Sequence, residues 1–204
     1  MKVAIVGGTG SFGRALARRL HELGSDDVTI GSRDAERART TAAQLGVQGG
    51  LNEEVVQDVD IVVLAVRSNA TLHTAKALAE VIGKTPVLCV ASDLRFTPHG
   101  VLPGKHQGSL AEEVARIVRA PVASGLQSFA AANLVDGDPG DALVCGADDV
   151  AKERSLELAG RLGSRAIDVG PLENSRALEG MTAVILNVNR RYRTHAGLRL
   201  TGLS

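Results

Sequence analysis

The sequence predicts an α/β fold: a Rossmann-type parallel sheet with helices on both faces, followed by a small C-terminal α/β part. Short β-branched runs alternate with helical segments over the first ~120 of 204 residues, which is typical of parallel sheets. A glycine-rich loop at 7–13 joins the first apolar run to the first helical segment. The longest apolar runs, such as 60–66, are far shorter than the ~20 residues of a membrane span.

The elements of the first part follow from apolar runs and capping residues. Strands are predicted at 3–6, 27–30, 60–66 and 86–91. Helices are predicted at 12–23, 35–45, 70–81 and 109–117. Asp34 is positioned to cap the second helix, and Ser109 with Glu112 has the spacing of a capping box. The glycine- and proline-bearing segment 97–108 is predicted to be a loop.

The second part repeats the alternation on a smaller scale. Strands are predicted at 121–124, 142–145 and 165–169, and helices at 150–162 and from 172 to about 192. We therefore expect a Rossmann domain over 1–120 and a small C-terminal part for substrate binding and dimerisation over 121–204.

Composition excludes several function classes. Lysine plus arginine equals aspartate plus glutamate at 23 each, so no basic excess favours nucleic acid or a membrane surface. The zero net charge also removes one barrier to self-association. Met1 leads directly into a strand rather than a signal peptide, which indicates a cytoplasmic protein. Cys89 and Cys145 lie in apolar runs without metal-ligand spacing, so we expect buried reduced thiols and no metal site.

The glycine loop contains the pattern Gly8-x-Gly10-x-x-Gly13, directly after a strand and before a helix. Such glycines allow a tight turn, a close approach of a pyrophosphate to the backbone, and close packing of the helix on the sheet. We therefore expect a dinucleotide to contact this loop, including Thr9, Ser11 and Phe12. The alternative is an ordinary glycine-rich turn between strand and helix.

The end of the second strand indicates NADP rather than NAD. NAD enzymes usually carry an acidic residue there, whereas this chain has Ser32 and Arg33, with Arg37 one helical turn later. A hydroxyl and two guanidinium groups suit a 2′-phosphate, and Thr9 could add a second hydroxyl. Asp34 would repel a phosphate unless it caps the helix. The alternative is that both arginines are solvated surface charges.

With these residues the chain resembles the NADPH-dependent F420 reductases, also called F420H2:NADP oxidoreductases. The resemblance runs nearly from end to end. Besides the glycine loop, it is carried by Gly31-Ser-Arg33, Cys145-Gly-Ala-Asp-Asp149, Asp168-Val-Gly-Pro-Leu172, Asn174-Ser-Arg176 and Ile185-Leu-Asn187.

The resemblance implies hydride transfer between NADPH and the deazaflavin F420. It places the 2′-phosphate on Thr9, Ser32, Arg33 and Arg37. It places the nicotinamide along Ala65, Val66 and Arg67, and the deazaflavin along 124–129, with Gln127 and Ser128 binding the substrate. Two segments depart from the family pattern. This chain has Val66-Arg67-Ser68 where the family tends to have Ile-Pro and a bulky residue, and Gln127 and Ala130 where it tends to have histidine and proline.

Two alternative functions stay open. One is an NADPH-dependent reductase of another small acceptor (an imine, a ketone or a different flavin), and the other is a non-catalytic NADP-binding subunit or redox sensor. No YxxxK motif is present, and no histidine has a persuasive partner, so the catalytic residues are not assigned. The histidines are His21, His73, His99, His106 and His195.

Arginines near both reacting segments have several interpretations. Arg67 ends an apolar strand, where it could pair with an anionic ligand or extend into solvent. The cluster Arg190, Arg191 and Arg193 could meet the anionic tail of a deazaflavin, contact a partner subunit or form a solvated face. The apolar stripe on the last helix could be core or be shared across a two-fold axis, and we expect a homodimer. The stripe comprises Leu178, Met181, Ile185 and Leu186, extended by Val188.

Overall fold

The computed structural model describes residues 1–24, 27–104, 108–162 and 165–203. Its strands are β1 (Lys2–Val6), β2 (Asp27–Ser32), β3 (Gln48–Leu51), β4 (Ile61–Leu64), β5 (Val87–Cys89), β6 (Leu94–Thr97), β7 (Gly100–Pro103), β8 (Val122–Gly125), β9 (Ala142–Gly146) and β10 (Ala166–Asp168). Its helices are α1 (Ser11–Glu22), α2 (Ala35–Leu45), α3 (Asn52–Val55), α4 (Ser68–Ile82), α5 (Leu110–Ile117), α6 (Ala131–Asp136), α7 (Asp149–Arg161) and α8 (Ser175–Tyr192).

One sheet of eight strands organises the chain, in the order β10-β9-β8-β5-β4-β1-β2-β3. All neighbouring strands are parallel except β8 and β9, which are antiparallel. The chain proceeds from β1 towards β3 in one direction and then resumes at β4 on the other side of β1. Beside the carboxyl ends of β1 and β4 the direction of winding reverses, which is where open α/β sheets bind ligands.

Helices cover both faces of this sheet, as the sequence predicts. On one face, side chains of α1, α6 and α7 such as Leu16, Leu134 and Leu158 pack on inward residues of the strands. On the other face, Leu78 of α4 and Val114 of α5 do the same. Because both faces are covered, the central strands are apolar at every position rather than alternating.

Two helix starts confirm the predicted caps. The Asp34 carboxylate accepts the backbone N–H of Arg37 at 3.0 Å, which makes it the N-cap of α2. The Ser109 hydroxyl accepts the N–H of Glu112 at 3.1 Å, and the Glu112 carboxylate accepts the N–H of Ser109 at 2.8 Å. Both caps satisfy amides that a helix start would otherwise leave open.

The predicted loop at 97–108 was wrong over its first half. A two-stranded antiparallel hairpin, β6–β7, lies there instead, and Pro98 occupies its turn, where no ladder hydrogen bond is needed. The Thr97 hydroxyl closes the hairpin by donating to the Gly100 carbonyl at 2.8 Å. Residues 105–107, which include His106, lie outside the described residues.

Other differences concern short elements. The sequence did not indicate β3, α3 or α6. The helix predicted from residue 172 begins as a 3₁₀ turn at Leu172–Asn174 before α8 starts. Strands β8, β9 and β10 extend the same sheet as β1–β5, so the division near residue 120 stays a proposal and would run through one sheet. No helix within the described residues is long and apolar enough to cross a bilayer.

Candidate functional site

A cleft in two adjoining parts lies along the carboxyl ends of β1, β4 and β5. Its first part, the loop-side cleft, has a volume of about 560 Å³ and borders the glycine loop. Its second part, the hairpin-side cleft, has a volume of about 580 Å³ and borders hairpin β6–β7. The two parts share Ala65, Val66, Arg67 and Asn69 in their walls. Two ligands, one bound in each part, would therefore lie closest to each other at this junction.

The glycine loop is shaped by contacts that only glycine allows. A Cβ on Gly8 would lie 2.5 Å from Ile30 Cβ, and a Cβ on Gly13 would lie 2.6 Å from the Gly7 carbonyl oxygen. Helix α1 begins at Ser11, and no side chain caps it because its N-cap residue is Gly10. The first-turn amides are thus open to an anionic ligand, and the helix dipole favours negative charge there.

Two arginines give the loop-side cleft a positive wall. Arg33 and Arg37 line it beside Thr9 and Ser32, and both are exposed. Neither arginine forms an ion pair with any residue that the structure describes. Asp34 is not among the lining residues, because its carboxylate is used as the cap of α2. The wall can therefore accept a phosphate without competition from that carboxylate.

Asn52, which the sequence did not single out, also lines the loop-side cleft. It is buried at the start of α3, and its Oδ1 has no hydrogen-bond partner among the described residues. The same oxygen would lie 2.7 Å from a Cβ on Gly31, so this oxygen crowds the end of β2. An unpaired buried acceptor beside a cleft can receive a hydroxyl or N–H group of a ligand.

The junction consists of the segment that leaves β4. The Ala65 N–H donates to the Val6 carbonyl at 2.9 Å, which holds the segment against the glycine loop. Arg67 is the exposed N-cap residue of α4, and its carbonyl accepts the Thr71 hydroxyl at 3.1 Å. The Arg67 guanidinium forms no ion pair within the described part of the chain.

Gln127 lines the hairpin-side cleft, and its side chain has one acceptor without a partner among the described residues. Its Nε2 donates to the Cys89 carbonyl at 3.2 Å and to the Ser124 hydroxyl at 2.7 Å, which fixes the orientation of the amide. Its Oε1 is buried and has no partner among the described residues. The preceding residue, Leu126, is buried with a φ of 69°. Such left-handed backbone is costly for leucine and is typical of functional sites.

Helix α8 also reaches this cleft, which no local sequence signal indicated. Thr182 lines the hairpin-side cleft and donates its hydroxyl to the Gln127 carbonyl at 3.1 Å. The Ser92 hydroxyl lies 2.8 Å from the same Thr182 hydroxyl. Leu94 and Phe96 of the hairpin complete the apolar wall with Phe12 and Phe129. These residues come from four distant segments of the chain.

Most of the expected site residues are gathered at this cleft, but four are not in its lining. The residues of the expected set that line it are Thr9, Gly10, Phe12, Ser32, Arg33, Arg37, Ala65, Val66, Arg67 and Gln127. Gly8 packs closely against Ile30 and Gly13 against the Gly7 carbonyl, so neither faces the cleft. Ser11 lies at the exposed start of α1. Ser128 is buried, and its hydroxyl donates to the Asp141 carbonyl at 3.1 Å.

The cleft offers few groups for acid–base or nucleophilic chemistry. Arg67 is the one charged residue in the described lining of the hairpin-side cleft, while His73 lines the loop-side cleft. Burial raises the pKa of the Cys89 thiol to about 12, so this thiol is not a nucleophile at neutral pH. Both cysteines are free and buried, as expected. Among the described residues, no group of three or more His, Cys, Asp or Glu side chains could hold a metal ion.

The chain is similar in sequence to known oxidoreductases. The family model described as "NADP oxidoreductase coenzyme F420-dependent" matches residues 2–91. The F420-dependent NADP reductase of Methanocaldococcus jannaschii is 34% identical over 224 residues, covering 100% of this chain and 99% of the relative. The F420-dependent NADP reductase of Methanothermobacter thermautotrophicus is also 34% identical, covering 100% of this chain and 96% of the relative.

Solved structures agree on the fold. A provisionally assigned F420-dependent NADP reductase from Arthrobacter sp. FB24 superposes with a TM-score of 0.85 at 26% identity, covering 98% of this chain and 99% of the other. A Streptomyces aurantiacus imine reductase superposes with a TM-score of 0.66 at 18% identity, covering 95% of this chain and 62% of the other. The latter likeness shows the fold alone. The full-length relatives at 34% identity place the chain in the F420-dependent NADP reductase family.

Proposed function

We propose that this chain transfers a hydride between NADPH and F420, with NADPH in the loop-side cleft and the deazaflavin ring in the hairpin-side cleft. The observation that carries the proposal is that the two parts share Ala65, Val66 and Arg67 in their walls. The balanced reaction converts NADPH, a proton and F420 into NADP⁺ and reduced F420. The protein orients the two coenzymes, while the redox chemistry belongs to the coenzymes themselves.

The loop-side cleft fits NADP by its charge and its backbone. The open amides at the start of α1 suit the pyrophosphate, and the glycines let it approach closely. Arg33 and Arg37 would bind the 2′-phosphate with charge-assisted hydrogen bonds, together with the hydroxyls of Thr9 and Ser32. The unpaired Oδ1 of Asn52 would accept a hydroxyl or N–H group of the nucleotide.

The hairpin-side cleft fits a flat heterocycle with an N–H group. Its walls are largely apolar, and Phe12, Phe96 and Phe129 are all three phenylalanines of the chain. We infer that the free Oε1 of Gln127 accepts a hydrogen bond from the ring N–H of the deazaflavin. Gln127 would then act as a positioning and binding residue, because an amide neither gives nor takes a proton at neutral pH.

The proposed reaction needs no side-chain acid. Arg67 is the charged residue at the junction, and a guanidinium supplies positive charge and hydrogen-bond donors rather than acid–base chemistry. We infer that the proton comes from solvent, and that Arg67 contributes positive charge where anionic groups of either coenzyme pass. Arg67 and Gln127, where the chain departs from the family pattern, are then both part of the site.

The experiment that tests the function is a titration with NADPH followed by addition of F420, with the deazaflavin absorbance band as the readout. Bleaching that requires both protein and NADPH supports the proposal. Tight NADPH binding without bleaching would contradict the proposed acceptor. Turnover with an imine, a ketone or a flavin would then favour a reductase of that acceptor, and no turnover at all would favour a non-catalytic NADP-binding subunit.

We also propose that the chain works as a homodimer in the cytoplasm. Helix α8 buries Leu178 and Ile185 in the protein but leaves Val184 and Tyr192 56% and 73% exposed. Val184 and Tyr192 are eight residues apart on α8, and this exposed part of the helix could be shared across a two-fold axis. Two free buried cysteines suit a reducing compartment. A 21.2 kDa monomer in sedimentation at micromolar concentration would contradict the dimer.

A further inference from the structure

A separate basic cavity of about 750 Å³ lies between hairpin β6–β7 and the end of α8. Its described lining contains four arginines and a histidine but no acidic side chain. The four arginines are Arg95, Arg190, Arg191 and Arg193, and the histidine is His99. We call it the basic cavity.

The four guanidinium groups have no counter-charge within the described part of the chain. None of them forms an ion pair with a residue in the described ranges, and all four are exposed. Arg190 and Arg191 lie in the last turn of α8, where cations offset the helix dipole. Arg95 comes from the hairpin and lies outside α8, so an effect on the helix dipole does not explain its presence in the cavity. Like charges that share a cavity without carboxylates favour an anionic ligand.

The walls of the basic cavity are held in a fixed relation. The Asn187 side chain accepts the Val101 N–H at 2.9 Å and donates to the Val101 carbonyl at 2.7 Å, so it pairs with β7 like a neighbouring strand. A Cβ on Gly100 would lie 2.6 Å from Asn187 Oδ1, and the φ of 140° at Gly100 also favours glycine there. Arg193 adopts the left-handed conformation that ends α8, with a φ of 51°.

Strand β6 separates the basic cavity from the hairpin-side cleft. Leu94 and Phe96 line the hairpin-side cleft, whereas Arg95 and Thr97 line the basic cavity. This alternation follows from the two-residue period of a β-strand. One four-residue strand therefore presents an apolar surface to a ring and a basic surface to whatever extends beyond it.

We propose that the basic cavity binds the phosphate- and carboxylate-bearing tail of the deazaflavin whose ring occupies the hairpin-side cleft. The proposal rests on the proposed function and extends it, because it assigns a second binding region to the same substrate. Guanidinium groups bind phosphate and carboxylate with paired hydrogen bonds, so four of them suit a tail with several anionic groups.

The test compares F420 with a deazaflavin that lacks the anionic tail, in wild type and in the double variant Arg95→Ala/Arg191→Ala. We expect the KM for F420 to rise about tenfold or more in the double variant, with kcat and the KM for the tail-less compound unchanged. Arg119→Ala is the matched control, because Arg119 is exposed and does not line the basic cavity. Salt should raise the KM for F420 less steeply in the double variant than in wild type.

Direct binding separates failure of this proposal from failure of the proposed function. If wild type reduces both compounds with equal KM, the function stands and the tail proposal falls. If neither compound is reduced, the function falls, and equal F420 affinity of wild type and double variant in a fluorescence titration would overturn the tail proposal as well. Binding of inorganic pyrophosphate that the double variant loses, without any effect of the tail on F420 affinity, would assign the cavity to free anions instead.

Discussion

Arg33 and Arg37 show how far single residues could be assigned from sequence. Their position after β2 is local information, because strand, turn and helix cap are contiguous in the chain. Gln127 is different, since its free Oε1 depends on where Cys89 and Ser124 lie in space. The family resemblance points to Gln127, but only the structure shows that its Oε1, unlike its Nε2, has no hydrogen-bond partner among the described residues. Asn52 carried no sequence signal for the same reason.

The 2′-phosphate assignment predicts a selective loss in Arg33→Ala. We expect the KM for NADPH to rise by about ten- to a hundredfold, because one charge-assisted contact is worth about 1.5–3 kcal/mol. The KM for NADH should change little. Steady-state kinetics with both nucleotides measures the ratio. Arg39→Ala is the control, because Arg39 is exposed on α2, the helix that follows Arg33, but does not line the cleft. Equal losses with NADPH and NADH would contradict the assignment.

The assignment of Gln127 predicts a defect confined to the second substrate. In Gln127→Leu we expect kcat/KM for F420 to fall about tenfold while NADPH affinity is retained, since the free acceptor is lost on one side of the cleft only. Ser128→Ala provides the comparison, because its hydroxyl points to the Asp141 carbonyl and not into the cleft. A larger defect in Ser128→Ala than in Gln127→Leu would exchange their roles.

At the scale of elements, the long helices and central strands were predictable, whereas the short elements were not. Buried strands such as β4 and capped helices such as α2 carry period and cap signals within one segment. Strand β3 contains two glycines and pairs only at the sheet edge, so its propensity is weak. Hairpin β6–β7 is stabilised by Asn187 from α8, a contact 86 residues away that no local pattern contains.

The packing of α1 against the glycine loop predicts that Gly13→Ala disturbs both stability and nucleotide binding. The new Cβ would lie 2.6 Å from the Gly7 carbonyl oxygen and 2.8 Å from Gly8 Cα, so the loop backbone has to move. We expect about 1–3 kcal/mol of destabilisation and at least about tenfold weaker NADPH binding. Urea denaturation and a fluorescence titration with NADPH measure the two effects.

Gly160→Ala is the matched control for that variant. Gly160 lies within α7, and a Cβ there meets no atom within 4 Å. Alanine in a helix is favoured over glycine by up to about 1 kcal/mol, so the control should be slightly stabilised and bind NADPH normally. An intact NADPH affinity in Gly13→Ala would show that the close approach of α1 is not needed by the nucleotide site.

At the scale of the whole molecule, carboxylates connect the sheet-covering helix α5 to α8. Glu112 accepts hydrogen bonds from Arg176 at 2.6 and 2.8 Å, and this guanidinium is the main cause that lowers the pKa of Glu112 to about 2. Glu179 accepts the N–H of Leu110 at 2.7 Å, yet burial raises the pKa of Glu179 to about 7. As pH rises, ionisation of Glu112 therefore stabilises the fold, whereas ionisation of Glu179 destabilises it.

The pKa of Glu112 predicts a loss of stability in acid. A carboxyl whose pKa is lower in the folded state stabilises the fold above its unfolded pKa, and this contribution is lost as pH falls. The window runs from the ordinary value of 4.5 down to about 2. The effect should be no more than about 3 kcal/mol, at 1.36 kcal/mol per pH unit, and less because Arg176 is 52% exposed.

Urea denaturation of wild type and Glu112→Gln at several pH values between 2 and 7 measures this contribution. We expect the difference in unfolding free energy between the two proteins to be largest above pH 4.5 and to shrink as pH approaches 2, because only wild type has the charge to lose. Glu113→Gln is the control, since Glu113 pairs with the exposed Arg116 next to the same helix cap. A difference that stays constant over this range would mean that the Glu112–Arg176 pair does not connect α5 and α8 through its charge.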